Sequence, residues 1–84
     1  MTVEFTASAY RDYLYWKTHN QRILERIHTL CKAIAEKPFD GIGKPEPLLY
    51  DLQGCWSRRI DHIHRLVYRI ERKRIVVIAC RYHY

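Results

Sequence analysis

The chain has 84 residues, 48% of them hydrophobic, with a formal net charge of +6 and a sequence pI of about 9.5. This length suits one domain with a small core, and a hydrophobic fraction rich in Tyr and Trp argues against intrinsic disorder. The charge favours a polyanionic partner, above all nucleic acid, over a membrane, because no segment approaches the roughly 18 apolar residues of a membrane span.

The N-terminus has neither the basic residues nor the apolar stretch of a secretory signal peptide. The chain has three cysteines, an odd number, and no two of them form a CxxC pair. An odd number of cysteines without such a pair indicates that the thiols stay reduced, so we expect a cytoplasmic protein. Cys31 and Cys80 lie in apolar runs, which favours a role as core residues.

The chain begins with a short candidate strand, Val3–Phe5, followed by a helix that extends to about Lys17. Either Thr6 or Ser8 can cap this helix. A side-chain hydroxyl at that position accepts a hydrogen bond from a backbone amide that the first helical turn leaves without a partner.

A second helix follows, with Asn20 as its cap and Pro38 as its stop. Its apolar residues recur at helical spacing and therefore form one buried stripe. Two helices with so short a link predict a hairpin with a common apolar face. The residues of the stripe are Ile23, Ile27, Leu30, Cys31 and Ile34.

Prolines and glycines mark the passage from helices to strands. The segment Pro38–Pro47 holds all three prolines and two of the three glycines, which predicts a stiff loop. Beyond it the hydrophobic pattern has a period of two residues, which is typical of strands. The predicted strands are Leu48–Leu52, Trp56–Asp61, Arg65–Ile70 and Ile75–Tyr82 or beyond.

This order of elements predicts an α+β fold. The N-terminal helical hairpin would pack on one face of a mainly antiparallel sheet of about five strands. We expect residues 1–84 to form a single domain. The other face of the sheet must then be solvated or used for binding.

Alternation along the last strands predicts which side chains reach that open face. If the more apolar residues face the helices, then Arg65, Arg81 and His83 point away from them. Arg59 joins them if the loop before Arg65 has an odd number of residues, because residues paired across strands share a face. The residues expected to face the helices are Leu66, Tyr68 and Ile70 in one strand and Val76, Ile78, Cys80 and Tyr82 in the next.

A face with several arginines and a histidine repels itself unless it binds an anion, and the planar fork of arginine matches phosphate oxygens. RNA cleavage without metal needs a base for the ribose 2′-OH, cations for the charged transition state and an acid for the leaving 5′ oxygen. Glu46, flanked by Pro45 and Pro47, is a candidate base, and His83 is a candidate acid.

Each of these residues also has a plainer interpretation. Glu46 can be a loop carboxylate that pairs with Lys44, the arginines can form a solvated edge, and His83 can be a surface histidine. His62 and His64 have strand-like spacing, but no Cys or third His lies at ligand spacing. We therefore expect neither a metal nor another cofactor.

Several motifs, in order along the chain, resemble those of the YoeB toxins of the RelE/ParE superfamily. The similarity covers nearly the whole chain and includes its length and C-terminus. The motifs are DYLYW at 12–16, PFDGIGK at 38–44, GKPEPL at 43–48, LQGCWSRRI at 52–60, HRLVY at 64–68 and RYHY at 81–84.

The resemblance implies a microbial-RNase-like fold of the RelE/YoeB type. It also implies a toxin of a type II toxin–antitoxin system that cleaves mRNA in the A site of the 70S ribosome. A YefM-type antitoxin neutralises such toxins, and relatives can form homodimers. The expected products are a 2′,3′-cyclic phosphate and a 5′-hydroxyl.

The resemblance assigns roles to individual residues. Glu46 matches the general base, His83 the general acid, and Arg65 the arginine that stabilises the phosphate. Arg59 matches a second such arginine, and Tyr84 matches a terminal tyrosine that shapes the site. The residues expected to contact RNA or the ribosome are Lys44, Tyr50, Arg58 and Arg81.

One position departs from the family pattern. Relatives often have Lys directly after the Pro-Glu-Pro-Leu string, whereas this chain has Leu49. One cationic contact is therefore missing, which bears on binding more than on chemistry. The neighbouring Tyr50 can stack on a base.

Two alternatives from other functional classes stay open. The ParE branch of the superfamily poisons gyrase without RNase chemistry, and a non-catalytic nucleic-acid-binding module would also be basic. The presence of Glu46, Arg65 and His83 together argues against both, and the C-terminal region of ParE toxins does not resemble the motif RYHY.

Overall fold

The computed structural model describes residues 1–82. His83 and Tyr84, the predicted acid and the predicted terminal tyrosine, lie outside the described residues. Along the chain the elements are strand β1 (Thr2–Phe5), helix α1 (Ala7–His19), helix α2 (Gln21–Glu36), strand β2 (Glu46–Pro47), a short 3-10 helix (Tyr50–Leu52), and strands β3 (Trp56–Arg59), β4 (Arg65–Glu71) and β5 (Arg74–Ala79).

Side-chain caps determine where both helices begin. The Oγ1 atom of Thr6 accepts a hydrogen bond of 3.1 Å from the amide of Ala9 and begins α1. Asn20 closes α1 with its backbone N–H and begins α2 with its side chain, which accepts from the amide of Ile23 at 3.2 Å. One residue thus serves both helices and produces the predicted hairpin.

The sheet has the strand order β1-β5-β4-β3-β2. The pairs β2–β3, β3–β4 and β4–β5 are antiparallel, and β1 joins β5 in parallel. The predicted mainly antiparallel sheet of five strands is confirmed. The helices cover one face, where the apolar stripe of α2 meets the core residues of β4 and β5, namely Leu66, Tyr68, Ile75 and Val77. Neither α1 nor α2 is long and apolar enough to cross a membrane.

The predicted strand Leu48–Leu52 is wrong. Strand pairing is confined to Glu46 and Pro47, after which the chain turns at Tyr50, whose φ is +58°. The turn is closed by hydrogen bonds from the amide of Leu48 to the carbonyl of Cys55 (2.9 Å) and from the amide of Cys55 to the carbonyl of Leu52 (2.9 Å). Residues 48–52 therefore belong to a compact loop that packs Leu48 and Leu52 on the sheet.

Strand β5 contains an irregularity at Ile78. Tyr68 is paired with Val77, but the preceding residue Val67 is paired with Ala79. Ile78 is thus an extra residue in β5, as in a β-bulge. A bulge changes which side chains of the strand face each side of the sheet.

The predicted faces of β5 are therefore partly wrong. Before the bulge, Ile75 and Val77 face the helices, whereas the alternation assigned Val76 and Ile78 to that side. After the bulge, Cys80 lies in the core as predicted. The two alternating sets of β5 are both apolar, so their hydrophobicity alone does not distinguish the faces.

Arg58 is fully buried, with 0% of its surface exposed. Its guanidinium donates to the carbonyl oxygens of Lys37 (2.6 Å), Asp40 (2.9 Å) and Ile42 (3.1 Å), and its Nε donates to the hydroxyl of Tyr68 (3.2 Å). Arg58 therefore fastens the loop after α2 to the sheet. The prediction that Arg58 contacts RNA or the ribosome is wrong, because the side chain has no accessible surface.

Tyr68 completes this network beneath the loop. Its hydroxyl donates to the carbonyl of Pro38 at 2.7 Å and accepts from Arg58. Burial raises the pKa of Tyr68, and the neighbouring guanidinium offsets part of that rise. The loop carbonyls thus have donors, which a buried backbone requires.

We expect Arg58→Met to lower the free energy of unfolding by about 3 kcal/mol, since it leaves several buried carbonyls without donors. The control Arg11→Met, at an exposed position of α1, should change stability by no more than about 0.5 kcal/mol. Urea unfolding of both variants measures the difference. Equal stability of the two variants would refute the role given to Arg58.

Candidate active site on the open face of the sheet

A row of paired residues crosses the face of the sheet that the helices leave open. Glu46 of β2 is paired with Ser57 of β3, and Ser57 is paired with Val67 of β4. Residues paired in neighbouring strands point to the same face. Val67 packs in a small cluster separate from the main core, with Cys55 and Ala79, so this row lies on the open face.

Arg59 and Arg65 lie on the same face, two residues from that row. They are paired directly across β3 and β4, with the five residues 60–64 between them. The loop length is odd, and the predicted parity is confirmed. From standard strand spacings, the Cα atom of Glu46 lies roughly 8 Å from that of Arg59 and roughly 12 Å from that of Arg65. Long side chains from these positions can reach one phosphodiester.

Glu46 lies at the edge of the sheet and is exposed. The backbone before it is fastened to β3 by a hydrogen bond of 2.6 Å from the amide of Arg59 to the carbonyl of Gly43. Gly43 has a φ of +84°, and a Cβ there would lie 3.1 Å from the Cβ of Arg58 and 3.3 Å from the carbonyl oxygen of Arg59. A larger residue would strain this approach, so Gly43 helps to position the carboxylate.

Arg65 is oriented by its own hairpin. Its Nη1 donates to the carbonyl oxygens of Asp61 (3.1 Å) and His64 (3.3 Å). The other guanidinium nitrogens have no acceptor within residues 1–82. This arrangement holds the side chain by one nitrogen and leaves further N–H groups for an anion.

Asp61 stabilises the hairpin that carries Arg65. Its Oδ1 accepts from the amides of Ile63 (2.8 Å) and His64 (2.6 Å). Partial burial pushes the pKa of Asp61 upward, but the hydrogen bonds from these two amides oppose this effect, and the pKa lies below its usual value. The carboxylate therefore stays charged at neutral pH and keeps the turn closed.

The charges at the two ends of the open face differ. At one end, Arg69 is paired with Glu71, and Arg74 is paired with both Glu71 and Glu4. At the other end, no carboxylate of residues 1–82 forms an ion pair with the opposed arginines Arg59 and Arg65. Like charges directly opposite each other repel, and a bound anion would relieve this repulsion.

Other residues expected at the site have varied surroundings. Lys44 and Tyr50 are exposed, Tyr50 to 89%, and both have positive φ.

The prediction that Arg81 points to the open face is wrong, because its side chain lies against helix α1. Its guanidinium carbon lies 3.5 Å from the centre of the Tyr15 ring on α1. The cation–π contact with Tyr15 and the shift of register at the bulge account for the difference.

Sequence reasoning missed His64, Asp12 and Trp16, which contact the C-terminal segment. The Nδ1 atom of His64 accepts from the amide of Tyr82 (2.8 Å), Asp12 accepts from the amide of Cys80 (3.1 Å), and the Trp16 indole donates to the Cys80 carbonyl (2.8 Å). The sequence gives one signal for these residues, because His64 lies in the motif HRLVY, and Asp12 and Trp16 lie in the motif DYLYW. Within residues 1–82 no three His, Cys, Asp or Glu side chains are grouped as metal ligands.

Comparisons with known proteins agree on one family. A family model described as "YoeB-like toxin of bacterial type II toxin-antitoxin system" matches residues 5–84. The chain is 51% identical over 84 residues to "Toxin YoeB" of Synechocystis sp., a match that covers 100% of this chain and 98% of the relative.

Solved structures give the same result. A "YoeB/ParE toxin" from Agrobacterium tumefaciens superposes with a TM-score of 0.97 at 44% identity, covering 100% of both chains. The YoeB dimer from Staphylococcus aureus has a TM-score of 0.94 at 39% identity, and the YoeB–YefM complex from the same organism has a TM-score of 0.93 at 40% identity. Each of these two covers 100% of this chain and 98% of the other chain.

Proposed function

The chain belongs to the YoeB-like toxins of bacterial type II toxin–antitoxin systems, and from this premise we propose that it is a ribosome-dependent endoribonuclease that cleaves mRNA without a metal ion. One observation carries the proposal. The strand register brings the carboxylate of Glu46 to the same open face as the opposed arginines Arg59 and Arg65. A carboxylate beside cations that have no ion-pair partner within residues 1–82 matches the needs of phosphodiester cleavage by an internal nucleophile.

The proposed reaction is a transfer of the phosphoryl group within the RNA. Glu46 accepts the proton of the ribose 2′-OH, and the 2′ oxygen attacks the adjacent phosphorus. The bond from phosphorus to the 5′ oxygen breaks, and His83 donates a proton to that oxygen. The products are a 2′,3′-cyclic phosphate and a 5′-hydroxyl, so no water or metal takes part in the step.

The arginines stabilise the charge that develops in this step. In the transition state the phosphorus carries five oxygens and more negative charge on its non-bridging oxygens than the substrate does. Arg65, held by one nitrogen, offers its remaining N–H groups to these oxygens, and Arg59 supplies a second cation from the opposite strand. Because the Arg65 guanidinium is oriented before the reaction, it needs little reorganisation during it.

The C-terminal segment supports a role for His83 as the acid. The amide of Arg65 donates to the carbonyl of Tyr82 at 2.8 Å. The chain thus reaches the phosphate-binding arginine one residue before His83 in the sequence. Tyr84, the last residue, would complete the pocket.

Binding energy would come largely from the ribosome. A net charge of +6 suits docking on ribosomal RNA, and the ribosome would present the mRNA in a reactive geometry. Lys44 and Tyr50 are exposed near the edge that carries Glu46 and can contact RNA. Leu49, which is 67% exposed, stands where relatives often have Lys and offers no charge.

Solved structures of one relative suggest partners. The S. aureus YoeB forms a dimer and a complex with YefM. We propose that this chain is neutralised by a YefM-type antitoxin in the bacterial cytoplasm and can form a homodimer. An antitoxin that covers the basic open face would compete with RNA for the same surface.

A reporter mRNA in a translation extract tests the activity. Ribosome complexes are formed first, and a chelator is then added to half of the samples under conditions that keep the ribosomes intact. We expect the wild type to cleave the mRNA at the same rate with and without the chelator. Glu46→Gln and His83→Gln should each slow cleavage by at least about 100-fold, as expected for loss of general acid–base catalysis. Glu25→Gln, at an exposed position of α2, is the control.

Intact mRNA with the wild-type protein would contradict the proposal, and stalled gyrase in cells that express the protein would favour the ParE-like alternative. Cleavage by Glu46→Gln at the wild-type rate would remove this residue from the mechanism. Ribosome binding, measured by sedimentation, should be unchanged in both catalytic variants.

Two arginines of β4 provide a matched comparison. Arg65 and Arg69 point to the same face, but Arg69 is paired with Glu71. Arg65→Ala should lose about 3 kcal/mol of transition-state stabilisation, or about 100-fold in rate, by analogy with the loss of an oxyanion donor. Arg69→Ala should stay within about threefold of the wild type, since its charge is already neutralised. Single-turnover cleavage rates on ribosome complexes measure both, and equal losses would contradict a specific role for Arg65.

A further inference from the structure

The end of β5 is held by side chains of other elements. After Ala79 the regular strand ends. The amide of Cys80 donates to Asp12, and its carbonyl accepts from the indole of Trp16. Arg81 then lies over Tyr15. Helix α1 therefore determines the path of the chain up to residue 81.

The next residue, Tyr82, depends on a different contact. Its φ is +64°, a conformation that a residue with a side chain rarely adopts without support. Its carbonyl accepts from the amide of Arg65, and its amide donates to the Nδ1 atom of His64 at 2.8 Å. The imidazole of His64 is thus the side chain that fixes the backbone directly before the predicted acid.

His64 is itself held on several sides. Its amide donates to Asp61 at 2.6 Å, and its ring meets the edge of Trp16 with 4.7 Å between ring centres. The ring of Tyr82 lies 6.0 Å away. An imidazole in this position can rotate little, so its Nδ1 atom is directed at the Tyr82 amide.

The contact requires one protonation state. Nδ1 can accept a hydrogen bond only when it carries no proton, which means a neutral ring with its proton on Nε2. Protonation would turn the acceptor into a donor that faces another donor. The bond between His64 and Tyr82 would then be lost.

The charged groups around His64 come from every neighbouring element. Asp61, His62 and Arg65 belong to its own hairpin, and Arg81 belongs to the C-terminal segment, with its guanidinium 4.7 Å from the centre of the Tyr82 ring. Helix α1 presents the uncharged indole of Trp16, and its carboxylate at Asp12 is bound to the Cys80 amide.

We propose that His64 is a positioning residue for RNA cleavage, which in its neutral form holds the amide of Tyr82 and so directs the chain that carries the acid His83. This inference rests on the proposed function for its consequence in catalysis. The contact between His64 and Tyr82 is independent of that function. His64 does not touch the substrate, and it acts through the backbone.

Substitution by residues with acceptors in different positions separates this role from simple packing. The Oδ1 atom of Asn occupies nearly the position of Nδ1 but cannot be protonated in the accessible pH range. Gln extends its acceptor further, toward the position of Nε2, and Phe keeps the ring without an acceptor. His64→Asn should therefore keep the hydrogen bond to the Tyr82 amide, which His64→Gln and His64→Phe should lose.

We expect the maximal rate constant of single-turnover cleavage on ribosomes to be about tenfold lower for His64→Gln and His64→Phe at neutral pH, with the half-saturating concentration unchanged. This factor corresponds to one neutral hydrogen bond. His64→Asn should cleave within about threefold of the wild type, and its rate should fall less at acidic pH. His62→Asn, an exposed neighbour in the same turn, is the control. A rate for His64→Asn as low as that of His64→Phe would overturn the proposal, as would a wild-type rate for His64→Phe.

A measurement on the wild-type protein distinguishes failure of this inference from failure of the proposed function. Nitrogen-15 NMR of the His64 ring should show the Nε2-protonated tautomer at neutral pH. The protection of the Tyr82 amide against hydrogen exchange should fall about tenfold as His64 becomes protonated. A proton on Nδ1 at neutral pH, or constant protection through the titration, would overturn the contact even if the protein cleaves mRNA. If both NMR results hold and mRNA stays intact, the contact stands and the RNase proposal fails.

Discussion

The pairing of β3 with its two neighbours determines what this sheet can present. Side chains alternate along a strand, so a slip of one residue would turn Arg59 into the core and bring Arg58 to the surface. The five-residue connection that ends at His64 prevents such a slip. The amides of Ile60 and Asp61 both donate to the His64 carbonyl, and the Asp61 carboxylate binds the turn from the other side.

Two adjacent arginines with the same chemistry thus have opposite roles. Arg58 is buried and donates hydrogen bonds to loop carbonyls and to Tyr68, whereas Arg59 is exposed on the other face. The two roles are connected, because the loop that Arg58 fastens leads directly to Glu46. Burial of one guanidinium therefore helps to hold the candidate base beside the other. Removing either arginine would affect the site, but through different physical causes.

Local patterns in the sequence predicted the features that depend on local interactions. The caps at Thr6 and Asn20, the stripe of α2 and the parity that joins Arg59 to Arg65 all follow from spacing along the chain. The bulge at Ile78 could not be predicted, because both alternating sets of β5 are apolar and their pattern does not mark an extra residue.

The surroundings of the site residues depend on contacts between distant segments. The alternation of β3 places Arg58 and Arg59 on opposite faces, but the full burial of Arg58 depends on the loop after α2, which is distant in the sequence. The packing of Arg81 on Tyr15 and the bond from Tyr82 to His64 likewise join residues that are far apart in the chain. Resemblance to a family identified candidate residues without revealing these supports.

The central claim is that the open face cleaves RNA by activating a ribose 2′-OH. A reporter mRNA with one 2′-deoxynucleotide tests it most directly. The cleavage position is first mapped on the all-ribose mRNA, and the nucleotide 5′ of that phosphodiester is then replaced by its deoxy form. The substituted mRNA should occupy the ribosome normally and should not be cut at that linkage. Cleavage there at the rate of the all-ribose mRNA would show that the nucleophile is another group and would contradict the role of Glu46.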